Sequence, residues 1–567
     1  MSASAYAWAL ALVGELARAG VRQAAICPGS RSTPLALAVL HCPELARTVH
    51  LDERSAAFFA LGAARVTGRP ALVVTTSGTA AANLFPAVVE AAQARVPMIL
   101  LTADRPPEAR DFGAAQTVDQ VHLFGRYARW FVDLPVPEGG VAAHVRAVAR
   151  EAVRRSTGNP PGPVHLNVPF REPLVPGAGE LAGPPPLPER PMHLRAPGPE
   201  PRWDAAPLAA SLAAAPRGLL VLGPDSGRDR AAAARVARAL GYPVLADPLS
   251  GMRSGPHDRG LVITHYDAFL RAEPLAASLA PQVVVRLGAP PTSRALNRML
   301  ARWPHREVLV EPAGPRDPEF VADEIVPLQP DVFLRALGDA LEPRGPGPWA
   351  RRWLAAEAVA GAAVRGLLEE AQAPFEGTVV DALPSLPDGS LLVVGNSMPV
   401  RDLDTFYRGS ERAVDILANR GANGIDGVLS TALGAAWVHP GPATLLVGDI
   451  SFQHDIGALA TARRYPIPLR VVLIHNDGGA IFSYLPQAAL ERGFQELFTT
   501  AHGVDFAPVV RAYGGWEVRA EGTDELRRIV GREPEGLELL QVRTDRERSV
   551  ALHQELWRRV ERAVGAL

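Results

Sequence analysis

The segment TLLVGDISFQHDIGALATARRYPIPLRVVLIHNDGGAIF, residues 444–482, reads as a strand, a helix and a second strand. Its two apolar runs are short, rich in branched aliphatic residues and closed by a polar side chain, Asp449 after the first and Asn476 after the second. Such runs alternating with helical stretches point to a parallel sheet covered on both faces. The 27 positions from Asp449 to Asn476 suit a right-handed crossover, which sets the strands side by side or nearly so. Both side-chain oxygens can then converge on one point, as a hard cation such as Mg²⁺ requires, with phosphate oxygens usually completing the shell. A plainer arrangement is also open, with Asp449 capping the following helix and Asn476 starting a turn at Asp477-Gly478-Gly479.

The same alternation runs outward through the chain, whose 567 residues, 47% hydrophobic and 21% charged, exceed one core and exclude a disordered or fibrous polymer. QAAICPGS, RPALVVTTSG, VPMILLTADRP and GPVHLNVPF are strand candidates of a first region, residues 1–178. A Pro/Gly-rich linker is expected over 179–201. A central α/β region, 202–342, follows with GLLVLGP, YPVLADP, PQVVVRLGAP and REVLVEP. The last region, 343–567, holds SLLVVGNS, AVDILANRG, ATLLVGDIS, LRVVLIHND and LELLQVRTD. The expected class is α/β with three mainly parallel sheets, and ligands then lie beyond the carboxyl ends of the strands.

Composition narrows the chemistry. The 58 cationic residues are all arginine, since the chain contains no lysine. That excludes Schiff-base catalysis by a lysine and a P-loop lysine, while leaving planar guanidinium forks for carboxylates and phosphates. Net charge is -2, so no bulk cationic surface for nucleic acid is expected. Cys27 and Cys42 form neither a CxxC pair nor a zinc-ligand spacing and read as buried thiols. The N-terminal stretch AYAWALALVGELARAG suits an amphipathic helix better than a signal peptide, and no run reaches the roughly 20 apolar residues of a membrane span. A cytoplasmic protein is the expectation.

The 444–482 unit resembles the thiamine-diphosphate motif, GDG followed some two dozen residues later by NN. Ile450 stands where a third glycine is common and His475 replaces the first asparagine, whereas Asp449 and Asn476 match. The resemblance implies a metal, Mg²⁺ or Mn²⁺, held by Asp449, Asn476 and the backbone carbonyl of Gly478, with Ile450 and Ser451 beside the diphosphate. In VHLDERSAAFF and TSGTAAAN the first region resembles the pyrimidine-binding half of the same superfamily, with Glu53 at the position of the carboxylate that activates the cofactor and Thr79 and Asn83 near the ring. Taken alone, Glu53 would read as a solvated helix-start acid paired with Arg54.

Longer strings are more specific. PGSRSTPLALAV, LTADRPPE and GAAQTVDQ in the first region, and GNSMPVRD and LANRGANGIDGVLSTALG in the last, resemble the 2-succinyl-5-enolpyruvyl-6-hydroxy-3-cyclohexene-1-carboxylate synthases of menaquinone biosynthesis. In the central region only APPTSRAL matches, and Ser293 stands where that family often has a lysine. The resemblance implies decarboxylation of 2-oxoglutarate and conjugate addition of the succinyl carbanion equivalent to isochorismate. It also implies a homodimer or homotetramer with active sites at the subunit interface. Two dicarboxylate substrates need fixed cations, each close pair in a partly desolvated site being worth on the order of a few kcal/mol. The family's anion-binding positions fall on Arg31, Arg105, Arg294, Arg401 and Arg420, aided by Ser30, Gln116 and Ser397. Ile425 matches the aliphatic residue that props the cofactor into its bent shape, and Ile481 and Phe482 match residues lining the substrate cavity. Two alternatives stay open: a related thiamine-diphosphate enzyme of the acetohydroxyacid synthase or benzoylformate decarboxylase kind, and a nucleotide-binding regulator without catalysis.

Overall fold

The computed structural model describes residues 5–137, 142–177, 203–371, 373–490 and 492–567. The linker expected over 179–201 lies outside the described residues. Among the described residues three six-stranded sheets form, parallel throughout, as the strand–helix alternation requires. The first contains β1 (Gln23–Ile26), β2 (Ala46–Val49), β3 (Ala71–Thr75), β4 (Met98–Asp104), β5 (Trp130–Asp133) and β6 (Pro163–Pro169), in the order β2-β1-β3-β4-β6-β5. The second contains β7 (Gly218–Leu222), β8 (Val244–Ala246), β9 (Val262–Ile263), β10 (Val283–Leu287), β11 (Arg306–Val310) and β12 (Glu324–Val326), ordered β12-β11-β10-β7-β8-β9. The third contains β13 (Ser390–Val394), β14 (Val414–Leu417), β15 (Ala443–Gly448), β16 (Leu469–His475), β17 (Trp516–Val518) and β18 (Leu537–Arg543), ordered β14-β13-β15-β16-β18-β17.

The apolar runs singled out in the sequence include every interior strand. Interior strands such as β3, β4 and β16 are buried along their whole length, which is why they read as continuous apolar runs. The strands without such a signal, β2, β5, β9, β12 and β17, all lie at sheet edges and are short or partly exposed. These edge strands are only partly covered, so a charged or polar residue in them stays in reach of water and costs little.

The first and third sheets meet through two helices, Glu53–Thr67 and Val428–Val438, packed backbone to backbone. A Cβ on Gly62 would stand 2.1 Å from the Thr431 carbonyl oxygen, and one on Gly434 only 1.9 Å from that of Phe59. Glycine is therefore the residue that permits this approach. Among the described residues no helix is long and apolar enough to cross a membrane.

His50, just past β2, is buried at this junction and hydrogen-bonds Thr48 Oγ1 at 2.8 Å and Thr461 Oγ1 at 2.9 Å. Burial pushes its pKa down from 6.5 to about 4. The folded state then holds His50 neutral while the unfolded chain protonates it. Its contribution is present above pH 6.5 and is lost as pH falls from there toward 4. Thermal midpoints measured across that window should fall with acidification, and His50→Asn should make the slope shallower; an unchanged slope contradicts the assignment.

Candidate active site

Strands β15 and β16 are hydrogen-bonded neighbours, with Gly448 opposite Ile474, so the residues that follow them emerge side by side. Asp449 opens the next helix, 2% exposed. Its Oδ2 accepts the backbone N–H of Asn476 at 3.0 Å and of Gly478 at 3.1 Å, while Oδ1 accepts that of Ile450 at 2.7 Å. Asn476 Oδ1 is buried and has no hydrogen-bond partner. A buried amide oxygen left unpaired costs about 1–3 kcal/mol, so its retention points to a ligand the polypeptide does not supply. Gly478 has φ +140°, and a Cβ there would lie 2.2 Å from the Thr499 carbonyl oxygen. The turn is thus built for glycine. Ser451 Oγ donates to the Ile425 carbonyl at 2.7 Å and ties the loop carrying half-buried Ile425 to the same helix.

The Asp449 carboxylate and the free Asn476 amide oxygen are hard donors of the kind that fits a divalent cation such as Mg²⁺. His475 is buried and bonds the Val504 carbonyl at 2.9 Å, a structural role. His502 was not singled out by the sequence. Asp477 Oδ1 accepts the backbone N–H of His502 at 3.0 Å and of Gly503 at 2.7 Å, folding that loop back until His502 Nε2 stands 3.5 Å from Asp449 Oδ2. Asp449, His475 and His502 form the one cluster of potential ligand side chains of this kind among the described residues. Nothing in the sequence spacing signals it, because the contact is made by a returning loop.

On the first sheet, Glu53 is the first residue of its helix, whose N-terminus is capped by Asp52 through Arg54 N–H at 2.9 Å and Ser55 N–H at 3.2 Å. Arg54 does not pair with Glu53; it reaches the His454 carbonyl at 2.9 Å. Glu53 Oε2 instead accepts Asn83 Nδ2 at 3.3 Å, so Glu53 and Asn83 meet, with Thr79 exposed on the same short helix. Among the described residues no hydrogen bond joins Glu53 to the Asp449–Asn476 corner.

The anion-binding candidates sort into three places. Arg31 is buried, donates to the Phe170 carbonyl at 2.9 Å and lies near Arg105; burial, then the neighbouring guanidinium, lowers its pKa. Arg105 follows β4, its backbone N–H held by Asp104 at 2.7 Å. Gln116, at φ +56°, donates to the Ser77 carbonyl at 3.1 Å, while Ser30 is exposed beside Arg31. Arg294, Arg401 and Ile481 share a cavity of about 600 Å³. Ser397, with φ +70°, starts the helix that bears Arg401, and its carbonyl accepts that guanidinium. Arg420 stands apart from that cavity, donating to Asn396 Oδ1 at 2.9 Å. Phe482 packs against Phe498, with ring centroids 5.4 Å apart.

The cavity wall also contains a buried chain that sequence did not reveal. Asp402 Oδ1 lies 3.0 Å from His553 Nε2, and Tyr484 Oη lies 3.1 Å from His553 Nδ1. Burial opposes charge on His553, yet Asp402 holds its pKa above the ordinary value. The chain ties the Arg401 helix to the 3₁₀ turn Ala480–Tyr484 that bears Ile481.

Comparison with known proteins gives two family matches: "Thiamine pyrophosphate enzyme, N-terminal TPP binding domain" over residues 8–123 and "Thiamine pyrophosphate enzyme, C-terminal TPP binding domain" over residues 406–536. The 2-succinyl-5-enolpyruvyl-6-hydroxy-3-cyclohexene-1-carboxylate synthase of Geobacillus kaustophilus (strain HTA426) is 45% identical over 98% of both chains. The protein of that name from Chloroflexus aurantiacus (strain ATCC 29366 / DSM 635 / J-10-fl) is 45% identical over 98% of this chain and 96% of its own. In fold, the chain is similar to a thiamine diphosphate-dependent 4-hydroxybenzoylformate decarboxylase of Rhodococcus jostii RHA1, with a TM-score of 0.69 at 18% identity over 96% and 99% of the two chains.

The turn after β16 makes its own prediction. Gly478→Ala would force a Cβ against the Thr499 carbonyl and should destabilise the protein by about 1–3 kcal/mol. Chemical denaturation would measure this, and an unchanged midpoint would show that the turn is not constrained as described.

Proposed function

The chain belongs to the 2-succinyl-5-enolpyruvyl-6-hydroxy-3-cyclohexene-1-carboxylate synthase family of thiamine-diphosphate-dependent transferases, and from that premise we propose how its own residues divide the reaction. The full-length identity to synthases of this one name disfavours both the acetohydroxyacid synthase-like reading and the non-catalytic regulator. When bound, thiamine diphosphate supplies the nucleophilic carbon through which 2-oxoglutarate loses carbon dioxide and its succinyl remainder passes to isochorismate.

The observation that carries the residue assignment is the unpaired, buried Asn476 Oδ1 beside the Asp449 clamp. Asp449, Asn476 and the Gly478 carbonyl hold Mg²⁺ or Mn²⁺ against the diphosphate, with Ile450 and Ser451 lining it and Ile425 and Ser397 supporting the cofactor. Glu53 hydrogen-bonds the pyrimidine ring and sets its protonation, and Thr79 and Asn83 frame that ring. Arg31, Arg105, Arg294, Arg401 and Arg420, with Ser30 and Gln116, take up the substrate carboxylates. Ile481 and Phe482 keep water from the reacting carbon, which suppresses stray protonation.

Among the described residues, Glu53 and its neighbours Thr79 and Asn83 form no hydrogen bond with the Asp449 corner of their own chain. The assembly that unites them is a homodimer, or a tetramer of such dimers, in which Glu53 of one subunit meets the Asp449 site of another. The protein acts in the cytoplasm on small soluble acids.

Two expectations follow from this division of roles. Glu53→Gln should lower kcat about 10²–10⁴-fold, and so should Asp449→Asn, yet mixed subunits of the two should regain activity because each heterodimer contains one intact site. Isochorismate consumption and carbon dioxide release would be followed; mixtures no more active than either parent contradict the shared site. Asn476→Leu should leave the unliganded thermal midpoint unchanged or higher, since it removes an orphaned amide, while abolishing the midpoint rise produced by thiamine diphosphate with Mg²⁺. A retained rise would remove Asn476 from the metal site.

A further inference from the structure

The 600 Å³ cavity shared by Arg294, Arg401 and Ile481 is also lined by Arg271 and Arg298. Its acids are already engaged. Asp267 takes Arg271 at 2.9 Å and the Ser293 hydroxyl at 2.6 Å, Asp402 takes His553, and Asp404 takes the buried Arg253 at 2.5 Å. Arg401 donates to a carbonyl of its own helix. Arg294 and Arg298 are exposed to the cavity and have no carboxylate partner among the described residues. They lie four residues apart on the helix Arg294–Leu300, hence on one face, their stems separated by about 6 Å along the axis.

Ser293 cannot contribute a cation. It is buried as the N-cap of that helix, its Oγ accepting from Leu296 N–H at 3.1 Å and donating to Asp267. The second positive charge of this wall comes from Arg298, one helical turn further on.

Charge accounting assigns the pair. Of the two carboxylates of 2-oxoglutarate, one leaves as carbon dioxide at the cofactor, so only the distal one remains for a cavity arginine. Isochorismate keeps both carboxylates throughout and also presents a ring, for which Ile481, Met398 and Trp557 offer an apolar wall. Guanidinium forks bind carboxylates with two parallel hydrogen bonds, and two of them on one wall favour an acceptor that presents a carboxylate there over one that does not.

We propose that Arg298 is a specificity residue for the acceptor, acting with Arg294 to bind a carboxylate of isochorismate. The assignment rests on the synthase reading above. Steady-state kinetics of the holoenzyme, with thiamine diphosphate and Mg²⁺, test it. Arg298→Gln should raise KM for isochorismate by about tenfold or more, a charged hydrogen bond's worth, while KM for 2-oxoglutarate and kcat stay within about twofold. Arg298→Lys should recover part of the loss. Arg302→Gln, which removes an exposed guanidinium bonded to Glu273, should change none of these values. An Arg298→Gln enzyme with unchanged KM for isochorismate, or with both KM values raised together, overturns the assignment while leaving the synthase reading intact. A wild-type enzyme that consumes 2-oxoglutarate but not isochorismate sinks the synthase reading, and this assignment with it.

Discussion

One carboxylate organises the catalytic corner. Asp449 Oδ2 accepts two backbone N–H groups from the segment that leaves the neighbouring strand, so the ends of β15 and β16 are tied by a charged side chain rather than by sheet pairing alone. Hydrogen bonds to an ionised acceptor are roughly twice as strong as neutral ones, and an orphaned N–H in this buried place would cost about 1–3 kcal/mol. The turn that results turns Asn476 Oδ1 into a buried position with no partner and demands glycine at 478. Asp477 then draws residues 502 and 503 back over the corner. The cradle is therefore present in the protein's own hydrogen bonding.

Rigid placement of the remaining residues depends on contacts between the sheets. Gly62 and Gly434 let two helices touch along their backbones, which fixes the first sheet against the third. Arg253, fully buried, binds Asp404, the Tyr266 hydroxyl at 3.3 Å and the Ala246 carbonyl at 2.7 Å, and so locks the second sheet to the helix that bears Arg401. Arg294 and Arg401 come from different sheets, and this lock is what holds them across one cavity. Breaking such a buried ion pair leaves an uncompensated charge, which makes the junction a stiff one.

Much of this was legible in the sequence where the physics is local. Interior strands are buried on both faces and so announce themselves as apolar runs; the crossover from Asp449 to Asn476 has a length that fits adjacent parallel strands, and they are adjacent. The family strings led to the thiamine-diphosphate class through residues that stand at strand ends, such as Arg105 after β4. Edge strands such as β9, two residues long, carried no signal because they bury too little to need one. His502, Asp402, His553 and Tyr484 were likewise invisible, because their contacts join segments far apart in the chain. The plainer alternative for Glu53, a pair with its neighbour Arg54, is not formed either, since Arg54 reaches the His454 carbonyl instead.

On the proposed reading, the Asp449–Asn476–Gly478 corner holds the diphosphate through a divalent cation. Titration calorimetry of thiamine diphosphate into metal-free protein, first with chelator and then with excess Mg²⁺, addresses it directly. Saturable heat is expected only when the cation is present, and no heat in either condition for Asp449→Asn. Equal binding in chelator, or undiminished binding by that variant, would contradict it.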